Sequence, residues 1–273
     1  MTVLSLVAAA LLTANPVAFV VCAPGYPGTT AEAQSAMDAF AAAVAARAGW
    51  PAGSIVGAYY ETEKAGIERL KSADAAVAML SLPLFLKEAG QLKLSPKLAA
   101  VQAGGGPSEV WSLVAKKGRV TGPASLAGWK IVSLAGYAPG FVRGTALAGF
   151  GKLPANVQVV ESGQVLSWLR RATAGEDVAL LLDGAQGRSL PTLPFAAELE
   201  VVARSPALPS GVVAVVEKRL SAERWKALEK ALRTLRESPD GAAALDGLRL
   251  EAFAPLDEAS LAAARKDFGA AGR

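Results

Sequence analysis

The sequence has no histidine, one cysteine and, over 273 residues, only 6% aromatic side chains. Each shortage removes a class of function. Without histidine there is no Ser-His-Asp or Cys-His relay and no imidazole base near neutral pH. A transition metal would find only Cys22 and carboxylates as ligands. One cysteine makes no intramolecular disulfide and no thiolate cluster. Cys22 lies inside the apolar run Val17 to Ala23, the setting of a small buried hydrophobe and not of a nucleophile. No stretch is long enough to span a bilayer as a helix. The net charge is only +4, and acids and bases alternate, as in EKRLSAERWKALEKALRTLRE over 217–237. That is a solvated helix face and not a phosphate-tracking stripe. Nucleic acid is therefore not expected as a partner, nor is any cofactor or metal, and the chain reads as a monomer.

What is present is a large apolar fraction, 52%, carried mostly by Ala, Leu and Val, which favours helices packed on strands. Met1 to Ala14, reading MTVLSLVAAALLTA, has the apolar core and small-residue end of an export signal, although no Lys or Arg precedes it. Residues 1–15 are expected to be that signal, directing the protein to the periplasm. Val17 to Ala23, Ile55 to Tyr60 and Asp74 to Leu80 read as strands, and the segments between them as helices. Thr29 and Glu32 have the spacing of a capping box for the first helix. This β-α-β-α-β order predicts a parallel sheet with helical crossovers. After Gly104-Gly105-Gly106-Pro107 a second series follows, with strands at Ile131 to Leu134, Val157 to Val160 and Val178 to Leu182, and a helix from Phe141 to Phe150. Further strands are expected at Leu98 to Ala103, Val110 to Ala115, Leu199 to Ala203 and Val212 to Val216, and the rest of the chain as helix.

The predicted fold class is α/β, with two Rossmann-like lobes, a cleft between them and two crossing segments. The first lobe covers residues 16–107, completed by 211–273, and the second covers 108–210. Ligands of such sheets bind beyond the carboxyl ends of the strands. The loops there carry Tyr26, Ser81, Leu82, Tyr137, Gly140, Phe141 and Asp183, while Glu109, Trp111 and Ser210 lie on the crossing segments. These ten are the candidate ligand-binding residues, with Phe85 nearby. Core packing is the competing role for Trp111 and Phe141, and loop capping for Asp183.

Several phrases resemble one family. They are Ser72-Ala-Asp74-Ala-Ala-Val-Ala-Met-Leu, the lead-in Ser125-Leu-Ala-Gly-Trp-Lys-Ile131, Gly140-Phe141 opening a helix, Ala174-Gly-Glu-Asp-Val-Ala179 with Asp183-Gly184, and Leu208-Pro209-Ser210. In order and spacing they resemble the type 2 periplasmic solute-binding proteins of ABC transporters, in the phosphate/phosphonate-binding, PhnD-like branch. The resemblance implies the type 2 periplasmic-binding-protein fold, a small-molecule ligand, a membrane permease complex as partner and no enzymatic activity.

One loop departs from the branch. Where its members carry Ser and Thr hydroxyls for an oxyanion, this chain reads Gly136-Tyr137-Ala138-Pro139-Gly140, and Pro139 has no backbone N–H. Together with the aromatic candidates, this predicts a largely apolar solute, lipid-like in character. The alternatives are an oxyanion ligand of the phosphate or phosphonate kind, or an enzyme or sensor module on the same fold.

Overall fold

The structure is a computed structural model and describes residues 16–26 and 28–271. The expected export signal, residues 1–15, lies outside the described residues. Among those described, no helix is long and apolar enough to cross a membrane.

The chain opens with β1 (Val17–Cys22), α1 (Thr30–Arg47), β2 (Ile55–Tyr60), α2 (Glu63–Lys71) and β3 (Ala75–Ser81). A short helix, α3 (Leu82–Glu88), leads to β4 (Leu94–Gln102). The two-residue strand β5 (Ser108–Glu109) carries the chain into a second series. That series is β6 (Ser112–Lys116), β7 (Lys130–Ser133), β8 (Gln158–Glu161), α4 (Val165–Thr173), β9 (Val178–Leu182), α5 (Gly184–Ser189) and β10 (Leu199–Arg204). The chain returns through β11 (Leu208–Pro209) to β12 (Gly211–Val216), α6 (Ala222–Arg233), α7 (Pro239–Gly247), β13 (Leu250–Pro255) and α8 (Glu258–Ala271).

Two main sheets result, a six-stranded one in the order β13-β4-β12-β3-β1-β2 and a five-stranded one in the order β10-β6-β9-β7-β8. Both are mixed, not wholly parallel as expected. Strands linked by crossovers are parallel: β1 to β2 and β3, and β7 to β8 and β9. The strands delivered by the crossing segments run the other way: β12 is antiparallel to β3, and β6 to β9. The crossing segments pair with each other, Glu109 opposite Leu208 and Ser108 opposite Pro209, as an antiparallel ribbon between the sheets.

Period-2 alternation assigns side chains to the layers. In β1, Phe19 and Val21 enter one apolar cluster with Phe40, Val44, Leu232 and Phe253, while Val20 and Cys22 enter another. In β9, Leu180 and Leu182 face Val132 and Leu169, whereas Leu181 faces inward. The inward cluster is shared by both sheets: it contains Val20, Leu80 and Phe85 together with Trp111, Ile131 and Phe141, and α8 adds Leu261 and Ala264.

Local chemistry explains the main elements. The Thr29–Glu32 capping box forms as expected, with Glu32 N donating to Thr29 Oγ1 at 3.2 Å and Thr29 N to Glu32 Oε2 at 2.8 Å. The helix expected over Phe141 to Phe150 is instead a π-helical turn, Phe141–Ala146, and a 3-10 turn, Ala148–Phe150. Gly144, Gly149 and Gly151 weaken helix propagation there. Packing against α8 shapes the turn, because the Thr145 hydroxyl donates to the Ala264 carbonyl at 3.3 Å. Strand β13 and helix α3 were not expected: Leu-Glu-Ala-Phe-Ala-Pro is short and Ala-rich, and Pro83 reads as a turn although it sits in the helix's first turn.

Arg219 ties two layers together. Its Nη1 donates to the carbonyls of Leu70, Ser72 and Ala75 at 2.7, 2.7 and 2.9 Å, closing the end of α2 and the start of β3. Removing it leaves those acceptors without a charged donor. Arg219→Ala is expected to destabilise the protein by about 2–3 kcal/mol, and Arg219→Lys to recover only part, because one ammonium cannot reproduce the guanidinium fork. Urea denaturation midpoints check this.

Candidate functional site

The carboxyl ends of β1, β3, β7 and β9 converge between the sheets. Two hydrogen bonds between side chains cross from one lobe to the other there. Ser81 Oγ, at the end of β3, lies 2.9 Å from the Tyr137 hydroxyl, which follows β7. The Tyr26 hydroxyl, after β1, donates to Asp183 Oδ2 at 3.2 Å, after β9.

Around Ser81 and Tyr137 the site is mixed in charge. Lys87 on α3 donates to the Tyr137 carbonyl at 3.1 Å and to Glu63 Oε1 at 2.6 Å, with its ammonium 5.9 Å from the Tyr137 ring centroid. Burial pushes the Tyr137 phenol above its usual range. Burial, then the nearby Glu63, pushes the carboxyls of Glu88 and Glu161 up.

The second pole lies toward the crossing ribbon. Asp183 caps α5 through Gln186 N at 2.8 Å, so its expected capping role holds alongside the contact with Tyr26. Glu109 Oε2 accepts from Gly184 N at 2.9 Å. Burial first, then Asp183, pushes the Glu109 carboxyl up to about 8, so it is largely protonated at neutral pH. Asp183 is raised too, by burial, although Arg188, Gln186 and Tyr26 hold it down. The Trp111 indole N–H is buried and lacks a hydrogen-bond partner of good geometry, yet its proximity favours ionised Glu109.

Several candidates stand elsewhere than expected. Leu82, Phe85 and Phe141 are 0% exposed and Trp111 is 2% exposed. They are buried side chains: Trp111 and Phe141 meet edge to face at 5.0 Å inside the cluster shared by both sheets. Ser210 fastens the crossing ribbon, its hydroxyl donating to the Ala100 carbonyl at 2.9 Å and the Gly106 carbonyl at 3.1 Å. Gly140 lies against α8, where an added Cβ would come within 3.1 Å of the Phe268 ring. Pro139 is exposed, and the first turn after β7 is Leu134–Tyr137, so Pro139 is not at the strand end where an oxyanion would want donors.

Sequence reading missed Lys87 and Glu63. Lys87 reaches the site only because α3 is a helix that turns it back toward Tyr137, and that helix was hidden behind Pro83. Among the described residues no group of three or more His, Cys, Asp or Glu could hold a metal ion. One cavity, about 550 Å³, lies outside the cleft beside α8, near Lys97, Arg233 and Arg265; another, of about 440 Å³, lies between α2 and α3 near Glu63 and Glu88.

The model of a family described as ABC transporter, phosphonate, periplasmic substrate-binding protein matches residues 27–261. A protein of Xanthomonas citri solved bound to ATP is similar with a TM-score of 0.71 at 14% identity, over 95% of this chain and 98% of that one. A binding protein component of an ABC phosphonate transporter from Pseudomonas aeruginosa is similar with a TM-score of 0.59 at 15% identity, over 91% and 84%. PhnD1 of Prochlorococcus marinus, in complex with methylphosphonate, is similar with a TM-score of 0.58 at 12% identity, over 95% and 98%. At these identities the likeness is one of fold. A search of curated protein sequences gave no match.

Proposed function

Because this chain belongs to the family of periplasmic substrate-binding proteins of ABC phosphonate transporters, we propose that it binds a small phosphonate-type oxyanion between its lobes and hands it to a membrane permease. The proposed place of action is extracytoplasmic. The observation that carries the ligand class is the meeting of two hydroxyls from opposite lobes, Ser81 and Tyr137 at 2.9 Å, with the Lys87 ammonium on the backbone carbonyl of the same tyrosine. Hydroxyls and an ammonium supply charge-assisted donors to an oxyanion. The acid pole is compatible with an anion at neutral pH because Glu109, held near 8, is mostly uncharged there.

This reading replaces the apolar solute expected from the loop. That expectation rested on apolar and aromatic walls, and Leu82, Trp111 and Phe141 are buried in the cluster shared by both sheets. It also rested on Pro139, which faces solvent.

Calorimetry at pH 7 against methylphosphonate, phosphate and sulfate tests the proposal. At least one of the three is expected to bind. Lys87→Met should weaken that binding by about 10- to 100-fold, the equivalent of one charge-assisted contact. No binding of any anion at millimolar concentration, with an apolar molecule co-purifying by native mass spectrometry, would return the assignment to an apolar ligand.

A further inference from the structure

The cleft is bridged by the protein's own side chains. Ser81 and Tyr137 join the lobes on one side, and Tyr26 and Asp183 on the other. Lys87 of the first lobe holds the Tyr137 carbonyl of the second. Backbones approach closely as well. A Cβ built on Gly163, just before α4, would stand 3.3 Å from the Gly25 carbonyl oxygen, and one on Gly25 would stand 3.0 Å from Leu134 Cδ2. Tyr137 also packs against the apolar cluster shared by both sheets, so its ring is wedged where the strand ends meet.

We propose that Ser81 and Tyr137 form an internal latch that keeps the lobes closed without solute, and that Tyr137 is the side chain a solute must displace to enter. Tyr137 then sets the size of the accepted molecule as well as the resting state. The proposal rests on the reading that the space between the lobes is the solute site. Its physical basis is a two-state equilibrium: hinged proteins populate open and closed forms that differ by a few kcal/mol, and a few polar contacts with the apolar surface between them suffice to favour one. A solute that needs the open form binds with an apparent Kd raised by the inverse of the open fraction. A ligand offering three oxygens can replace the hydroxyl–hydroxyl contact with two charge-assisted ones, so exchange of latch for ligand is favourable.

The test reads closure directly, without depending on ligand identity. Spin labels on Gln34→Cys in α1 and Leu166→Cys in α4 report the distance between the lobes by pulsed electron resonance; Cys22, 0% exposed, does not compete for label. The ligand-free parent is expected to give one narrow, short distance. Ser81→Ala with Tyr137→Phe, which keeps both side chains' bulk, should raise the population at longer distance by about tenfold or more. Tyr26→Phe provides a second, independent variant with a change in the same direction. A parent already broad and long without ligand, or variants indistinguishable from it, would overturn the latch. Methylphosphonate is then added to the opened Tyr26→Phe variant, which keeps the Ser81 and Tyr137 hydroxyls. Re-closure supports the phosphonate reading. Its failure in a variant that has opened refutes methylphosphonate as the ligand and leaves the latch standing.

Discussion

Glu109→Gln is expected to stabilise the protein at pH 9 by about 3–5 kcal/mol and to leave it nearly unchanged near pH 4.5. Glu109 is 9% exposed, sits on the crossing ribbon and faces Asp183. Its carboxyl has a folded-state pKa of about 8 against an ordinary value of 4.5. Between those two values the folded protein keeps a proton that the unfolded chain has released. Stability is therefore full below about 4.5, falls as pH rises toward 8 and is level beyond it. The gap, about 3.5 pH units at about 1.4 kcal/mol each, bounds the loss near 5 kcal/mol. Glutamine carries no ionisable group, and its carbonyl still accepts from Gly184 N–H. Urea denaturation of the parent and the variant at pH 5, 7 and 9 checks the sign and the slope. Asp183 is raised as well and stays in both proteins, so some pH dependence persists in the variant. Parallel stability profiles would mean that Glu109 is already ionised in the folded state.

Gly136→Ala should be the most damaging change near the site, with a loss of more than about 3 kcal/mol and of solute binding. Gly136 sits in the 3-10 turn after β7, with its Cα against the β8 backbone. A Cβ there would fall inside contact distance of the Glu161 nitrogen and Cα and of the Val160 carbonyl carbon. None of these is the far end of a flexible side chain. They belong to the ladder in which Val132 pairs with Val160 and Ser133 with Glu161. The variant must either pull β8 away or rotate the turn, and rotation carries Tyr137 out of register with Ser81. A thermal scan and the calorimetric titration read both effects. A variant within 0.5 kcal/mol of the parent would show that the turn has room to shift.

The strand framework was legible because burial on two faces leaves short, nearly continuous β-branched and apolar runs. Val17 to Cys22, Val178 to Leu182 and Val212 to Val216 all read this way and all are strands. The capping box at Thr29 and Glu32 was legible because both of its partners are local in sequence. What failed depended on tertiary contact. Strand β13 owes its existence to pairing with β4, not to the propensity of an Ala-rich hexapeptide. The turn at Phe141–Ala146 is set by α8, which lies more than 110 residues later. In the site, polar pairs such as Tyr26 with Asp183 were individually visible as candidates, but their partnership across 157 residues was not. The aromatic candidates misled for a related reason. Position after a strand is shared by residues that face the cleft and residues that turn into the core, and Trp111 and Phe141 do the latter.

The most direct test of the account is a crystal structure grown with methylphosphonate. The expected result is a phosphonate group between the carboxyl ends of the two sheets, within hydrogen-bond reach of the Ser81 and Tyr137 hydroxyls, with Lys87 beside it. A phosphonate found only outside the cleft, or a cleft still closed by the Ser81–Tyr137 contact at saturating ligand, would contradict it.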